Sequence, residues 1–228
     1  MKSGLQCIVV AGLFSACALQ QNPPPLLSRS VSEEAGVRSA LHDTARQQRL
    51  KVVSKAQELL HAQKTFRSRG LQFQTDPMGF VQAAYWNGGI DLFDSQLAED
   101  LDMSGLVLLY ESARKRRQLQ HSTPRPGDLI FFHSSPSTSA THEAPEQVGI
   151  IEAIEWDHTI TVLGYFANGP RRIVINLNEK KRDYAASGKR MNDRLSLIRA
   201  EKGLPAGTLM GGFMNPFASL PQDIRSEP

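Results

Sequence analysis

Covalent or acid–base chemistry has few residues to draw on in this chain of 228 residues. Both cysteines, Cys7 and Cys17, stand near the N-terminus, so the body offers no thiol nucleophile, no Cys-ligated metal and no disulfide. The histidines are His42, His61, His121, His133, His142 and His158. They show no HExxH or comparable ligand spacing, so neither a metal nor another cofactor is expected. A Ser-His-acid set could be assembled from Ser134, Ser135, Ser137 and Ser139 with His142 and Glu143 close behind. Such a set needs rigid support, and the Ser/Thr/Pro/Ala stretch from Ser134 to Glu146 supplies little of it. The stretch therefore reads as a polar loop, His133 as a polar strand end and His158 as a turn residue.

A helix start is the other place where such chains do chemistry, because unpaired backbone N–H groups and the helix dipole stabilise negative charge there. Thr75-Asp76-Pro77-Met78-Gly79-Phe80-Val81 opens a short helix of this kind. Asp76 is suited to the N-cap and Pro77 to the first helical position, where its missing N–H costs nothing. Pro77 carries no reactive side-chain atom. Downstream, Gln147 precedes Val148-Gly149-Ile150 and has no group that titrates near neutral pH, so it cannot serve as a general base.

The elements that must carry these positions follow from periodicity. Val37, Leu41, Ala45, Val52, Val53, Ala56, Leu59 and Leu60 recur at spacings near three and four, predicting one or two helices over about 32–63 with Ser32 as N-cap. A turn follows at Arg67-Ser68-Arg69-Gly70. A second helix is predicted over 77–87, stopped by Asn87-Gly88-Gly89, and a third over about 103–118, beginning near Asp102. After Pro124-Arg125-Pro126-Gly127-Asp128 the texture becomes that of strands: Leu129–His133, Gln147–Ile154, Thr159–Tyr165 and Arg171–Leu177. Hairpin turns are expected at Asp157-His158 and Asn168-Gly169-Pro170. Helices first and an antiparallel sheet afterwards make an α+β domain.

The N-terminus reads as an export signal. Lys2 precedes an apolar run from Cys7 to Phe14 that is too short to span a bilayer, followed by Ser15-Ala16-Cys17-Ala18. Leu13-Phe14-Ser15-Ala16-Cys17 resembles a bacterial lipobox, with Phe14 where Leu is commonest, and would make Cys17 an acylated mature N-terminus. Alternatively, cleavage after Ala18 would release a soluble periplasmic or secreted protein. Residues 1–18 are thus the signal segment, 19–31 a Pro- and Gln-rich linker, 32–215 the domain and 216–228 a tail. A net charge of +3 is too mild to indicate nucleic acid, and Arg114–Arg117 and Lys180–Arg182 read as solvated faces.

Three landmarks stand in order: Asp76-Pro77-Met78-Gly79-Phe80-Val81 with Gly89-Ile90-Asp91-Leu92, then Pro126-Gly127-Asp128-Leu129-Ile130-Phe131-Phe132, then Gln147-Val148-Gly149-Ile150-Ile151. Together they resemble the NlpC family of bacterial cell-wall cysteine peptidases and its CHAP-type relatives, most strongly over residues 50–178. The resemblance implies a papain-like α+β fold, with N-terminal helices packed on a small antiparallel sheet. In that family a Cys at the helix start is the nucleophile, a His opening a strand is the base, and a polar residue on the next strand orients it. The matching positions here are Pro77, Gln147 and Gly164 (with Tyr165 the adjacent alternative), so all three chemical roles are vacated.

The resemblance therefore implies a degenerate, non-catalytic domain that binds peptidoglycan peptides or an envelope protein. Asp76, Tyr85, Trp86, His133, Gln147 and Tyr165 are the expected cleft residues. Trp156 is a further groove candidate, although aromatics at such spacing are commonly core. Two alternatives stand: an active peptidoglycan hydrolase with relocated residues, and a structural envelope lipoprotein without a ligand. Ala18 after the acylated Cys17 resembles the pattern of outer-membrane lipoproteins facing the periplasm, with the lipid as the sole membrane attachment.

Overall fold

The computed structural model describes residues 31–62, 65–93, 104–134, 144–167, 169–196 and 203–217, with backbone alone described over 31–42. The signal segment, Cys17, most of the linker, Ser135–Glu143 and residues 218–228 lie outside the described residues.

Helix α1 spans Val31–Leu59 as one continuous element. Its buried side chains Val52, Ala56 and Leu59 follow the expected spacing and face the core. Where sequence suggests only a turn, β1 (Phe66–Ser68) and β2 (Leu71–Phe73) form a hairpin across Arg69-Gly70. Both turn residues are left-handed, with φ of 46° and 84°. This is what a two-residue hairpin loop demands of its central pair. Helix α2 spans Pro77–Asn87, and α3 spans Gly105–Lys115 behind an Ser104 cap, a turn shorter than the 103–118 expected. Asp102 lies outside the described residues.

Strands β3 (Leu119–Gln120), β4 (Leu129–Phe132), β5 (Gln147–Ile154), β6 (Thr159–Phe166) and β7 (Gly169–Asn176) follow. After them come β8 (Arg194–Leu195), β9 (Leu204–Pro205), a 3-10 turn at Ala206–Leu209 and β10 (Met210–Met214). The main sheet is antiparallel with order β3-β10-β4-β5-β6-β7. Strand β10 enters the sheet between β3 and β4, a placement that its Met-Gly-Gly-Phe-Met sequence does not announce. The architecture is α+β, as expected, with three helices and antiparallel sheets among the described residues.

The sheet is buried on both faces, which explains the unbroken apolar run Leu129-Ile130-Phe131-Phe132 of β4. Leu129, Phe131, Val148, Ile150 and Leu163 pack beneath the three helices with Phe80, Val81 and Leu109. Ile130, Phe132, Ile151, Val162, Phe166 and Ile173 face the other way, under Leu195, Ala206 and Leu209. The chain between β7 and β8 is pinned to this second layer by buried amides. Asn192 Nδ2 donates to the carbonyls of Glu179 and Arg182, and Asn176 N donates to Asn192 Oδ1.

The Pro126-Gly127-Asp128 turn is locked from α1. Arg49 Nη1 meets Asp128 Oδ1 at 2.6 Å and the Pro126 carbonyl at 3.0 Å, and its Nη2 donates to Asn215 Oδ1 at 2.7 Å. The guanidinium also lies 4.2 Å from the Phe217 ring centre. Asp128 Oδ2 accepts the Arg125 N–H, and the Tyr85 hydroxyl donates to the Gly127 carbonyl. This turn therefore joins α1, α2, β4 and the end of β10.

Candidate functional site

The start of α2 is built as the sequence indicates. Asp76 has an extended backbone (φ −143°, ψ 175°), and its Oδ1 accepts the Gly79 N–H at 2.6 Å, a side-chain N-cap. Gly79 is required there, because a Cβ would lie 2.0 Å from the Gln74 carbonyl oxygen. Met78 and Phe93 both lie against Gly105, so the first turns of α2 and α3 abut. Pro77 is half-buried in this arrangement.

Strand alternation separates Gln147 and Gly164 from that helix start. Val148 and Ile150 point toward the helices, whereas Gln147 shares a face with its register partner Phe132, on the far layer. Gly164 and Gly149 pair on that same far face, and both are roofed by side chains. A Cβ at Gly164 would stand 2.9 Å from the Phe166 ring, and one at Gly149 would stand 2.4 Å from Val162 Cγ1. These glycines make room for their neighbours, and any side chain at position 164 would have to displace the Phe166 ring. Pro77, Gln147 and Gly164 do not share a pocket: the helix start and the two strand positions lie on opposite faces of the sheet.

The expected cleft residues disperse as well. Tyr85 is fully buried, and its hydroxyl holds the Gly127 carbonyl, so it belongs to the core rather than to a groove. Burial, then the nearby Asp128 carboxylate, pushes its hydroxyl well above the usual tyrosine range. Tyr165 does face the helices, edge-on to Phe66 at 5.9 Å. Trp86 is half-buried, and its carbonyl accepts from Gly89 N and from Arg69 Nη1. His133 is buried at the end of β4, edge-on to Tyr110 at 5.3 Å. Its Nε2 lies 2.0 Å from where a Gly211 Cβ would be, so that glycine makes room for the imidazole. Trp156 is 91% exposed at the β5–β6 hairpin tip, which excludes it from the core.

Among the described residues no group of three or more His, Cys, Asp or Glu side chains could hold a metal ion, and no helix is long and apolar enough to cross a membrane. Ser135, His142 and Glu143 of the alternative Ser-His-acid set lie outside the described residues, and Ser134 is buried beside His133.

One cavity opens elsewhere, at the C-terminal end of α2. It has a volume of 490 Å³ and is bounded by α1, the β1–β2 turn and Asn87-Gly88-Gly89. An eleven-residue helix places it roughly 15 Å from Pro77. Sequence reading met these residues only as a helix stop and a turn. Lys51 and Arg69 give no sign of a shared site, because they come from separate elements.

No family model, curated protein or solved structure matches this chain.

Proposed function

We propose that this chain is an exported cell-envelope protein whose NlpC-like, papain-related domain has lost hydrolase chemistry and works by binding peptidoglycan peptides or an envelope partner. The export signal and the lipobox at Cys17 supply the envelope location, with the lipid as membrane attachment. The observation that carries the loss of chemistry is the cover of Gly164 by Phe166, whose ring would stand 2.9 Å from the Cβ of an orienting side chain. Pro77 and Gln147 agree with it: the first offers no attacking atom, and the second offers no base and sits on the opposite sheet face. Asp76-Pro77 serves as a helix start, and Gly149 and Gly164 admit the aliphatic cover of Val162 and the aromatic cover of Phe166.

Two measurements test this reading. Purified sacculi incubated with the protein should release no new fragments by chromatography, and any new peak would restore the hydrolase alternative. Calorimetric titration with peptidoglycan stem peptides should show saturable heat. Its absence at millimolar peptide would remove peptide binding and leave the protein-partner form.

A further inference from the structure

The cavity at the C-terminal end of α2 has a consistent chemistry. Its polar lining comes from Thr44, Gln47, Gln48 and Lys51 of α1, Arg69 of the β1–β2 turn and Asn87 of α2. Among the described residues that line it none is acidic, so two cations face the cavity without a lining carboxylate. The negative end of the α2 dipole is blunted there. Gly88 N, Ile90 N and Gly89 N donate to the carbonyls of Ala84, Tyr85 and Trp86, and Arg69 Nη1 adds a longer contact of 3.5 Å to Trp86.

Two features show that this cavity is organised. Arg69 sits in the two-residue β1–β2 turn, and its Nη1 reaches the Trp86 carbonyl at the end of α2 at 3.5 Å. Asn87 Nδ2 donates to the Lys51 carbonyl at 3.3 Å and ties α2 to α1 beside Lys51. The cavity volume falls within the range of about 300–1,000 Å³ usual for small-molecule sites.

We propose that this cavity is a binding site for a peptide end, whose free carboxylate is held by Arg69 and Lys51. Guanidinium recognises carboxylate with a forked pair of donors, while the ammonium adds a point charge. The inference rests on the peptide-binding reading and locates it away from the Pro77 end of α2. Position 88 must be glycine for the site to exist, because a Cβ there would lie 2.6 Å from Val52 Cγ2 and would push α2 off α1.

The test is calorimetric titration of the full chain with acetyl-alanyl-alanine, with its C-terminal amide and with inorganic phosphate. The free acid is expected to bind, and the amide to bind about tenfold or more weakly, the usual loss when a charged hydrogen bond is removed. Arg69→Gln and Lys51→Gln, both at exposed positions, should leave the circular dichroism unchanged and each weaken the acid by a similar factor. Equal affinity for acid and amide, or binding indifferent to both substitutions, overturns the site while leaving stem-peptide binding itself standing. Phosphate binding without dipeptide binding overturns the peptide assignment. No heat with the dipeptide overturns this inference whether or not longer stem peptides bind. Failure of the stem peptides as well removes the broader reading.

Discussion

Removing Arg49 should cost far more than neutralising its partner, and the cost should depend on pH. The Arg49 side chain is 14% exposed and that of Asp128 is 5% exposed, so the pair is largely out of water. Arg49→Ala removes the 2.6 Å ion pair, the bonds to the Pro126 carbonyl and Asn215, and the stacking on Phe217. It leaves a buried carboxylate with the Arg125 N–H. Breaking a buried pair from one side costs about 3–5 kcal/mol, a large part of the roughly 5–15 kcal/mol that holds a domain together. Asp128→Asn keeps an acceptor and a similar shape, so one weakened hydrogen bond costs about 1–2 kcal/mol.

Burial already pushes the Asp128 carboxyl up from its usual value, against the pull of Arg49 and of the Arg125 N–H. A raised folded pKa means that this residue contributes its stability below the unfolded value near about 4 and loses it as pH rises through the folded value. Without Arg49 the upward shift grows. The Arg49→Ala penalty should therefore be smaller at pH 4 than at pH 7.5, the part from Pro126, Asn215 and Phe217 remaining at both, and Asp128→Asn introduced into that variant should flatten the dependence. Urea unfolding of the single and double variants at the two pH values measures this. The reasoning is refuted if Arg49→Ala is no worse than Asp128→Asn, or if its penalty is the same at both pH values.

Other outcomes follow from single contacts. Gly149→Ala and Gly164→Ala should each destabilise by about 1–3 kcal/mol in urea unfolding, Gly149 more because its Cβ comes closer to a neighbouring side chain; a neutral result would deny the packing against Val162 and Phe166. Asp76→Ala should cost about 1 kcal/mol by loss of the N-cap to Gly79, again read by urea unfolding. Pro77→Cys should release no fragments from sacculi, because Gln147 is no base and lies on the other sheet face; strong hydrolysis would show a base elsewhere. Lys189 above all, with the Thr159 N–H, holds the Asp157 carboxyl at about 2. Its contribution is present above the unfolded value near about 4 and is lost as pH falls through about 2. Lys189→Met should therefore flatten that part of the acid-unfolding curve.

The candidate site was legible in type but not in placement. That Pro77 and Gln147 offer no nucleophile and no base follows from their identities alone. Which way Gln147 faces depends on the β4–β5 register, since one residue of slip would turn it toward the helices. Tyr85 and Trp86 are adjacent on α2, yet one is core and the other half-buried, because helix rotation against the sheet assigns their faces. The α2-end cavity left no mark in sequence, because its two cations come from a helix and a hairpin turn that only packing brings together.

By itself the sequence determined what short-range physics controls. Asp76-Pro77 and Asn87-Gly88-Gly89 set both ends of α2 through capping and backbone freedom. Asp157-His158 set the β5–β6 turn, with the Thr159 N–H closing onto Asp157 Oδ1. Tertiary structure decided what depends on partners far along the chain. The Met210–Met214 segment has no alternating pattern of its own and became a strand because open edges of β3 and β4 accepted its backbone. Arg49 found Asp128 across 79 residues of sequence and turned the Pro126-Gly127-Asp128 motif into a clamp. Local propensity acts over a few residues, whereas register, facing and ion pairing are settled only when distant segments compete for the same core.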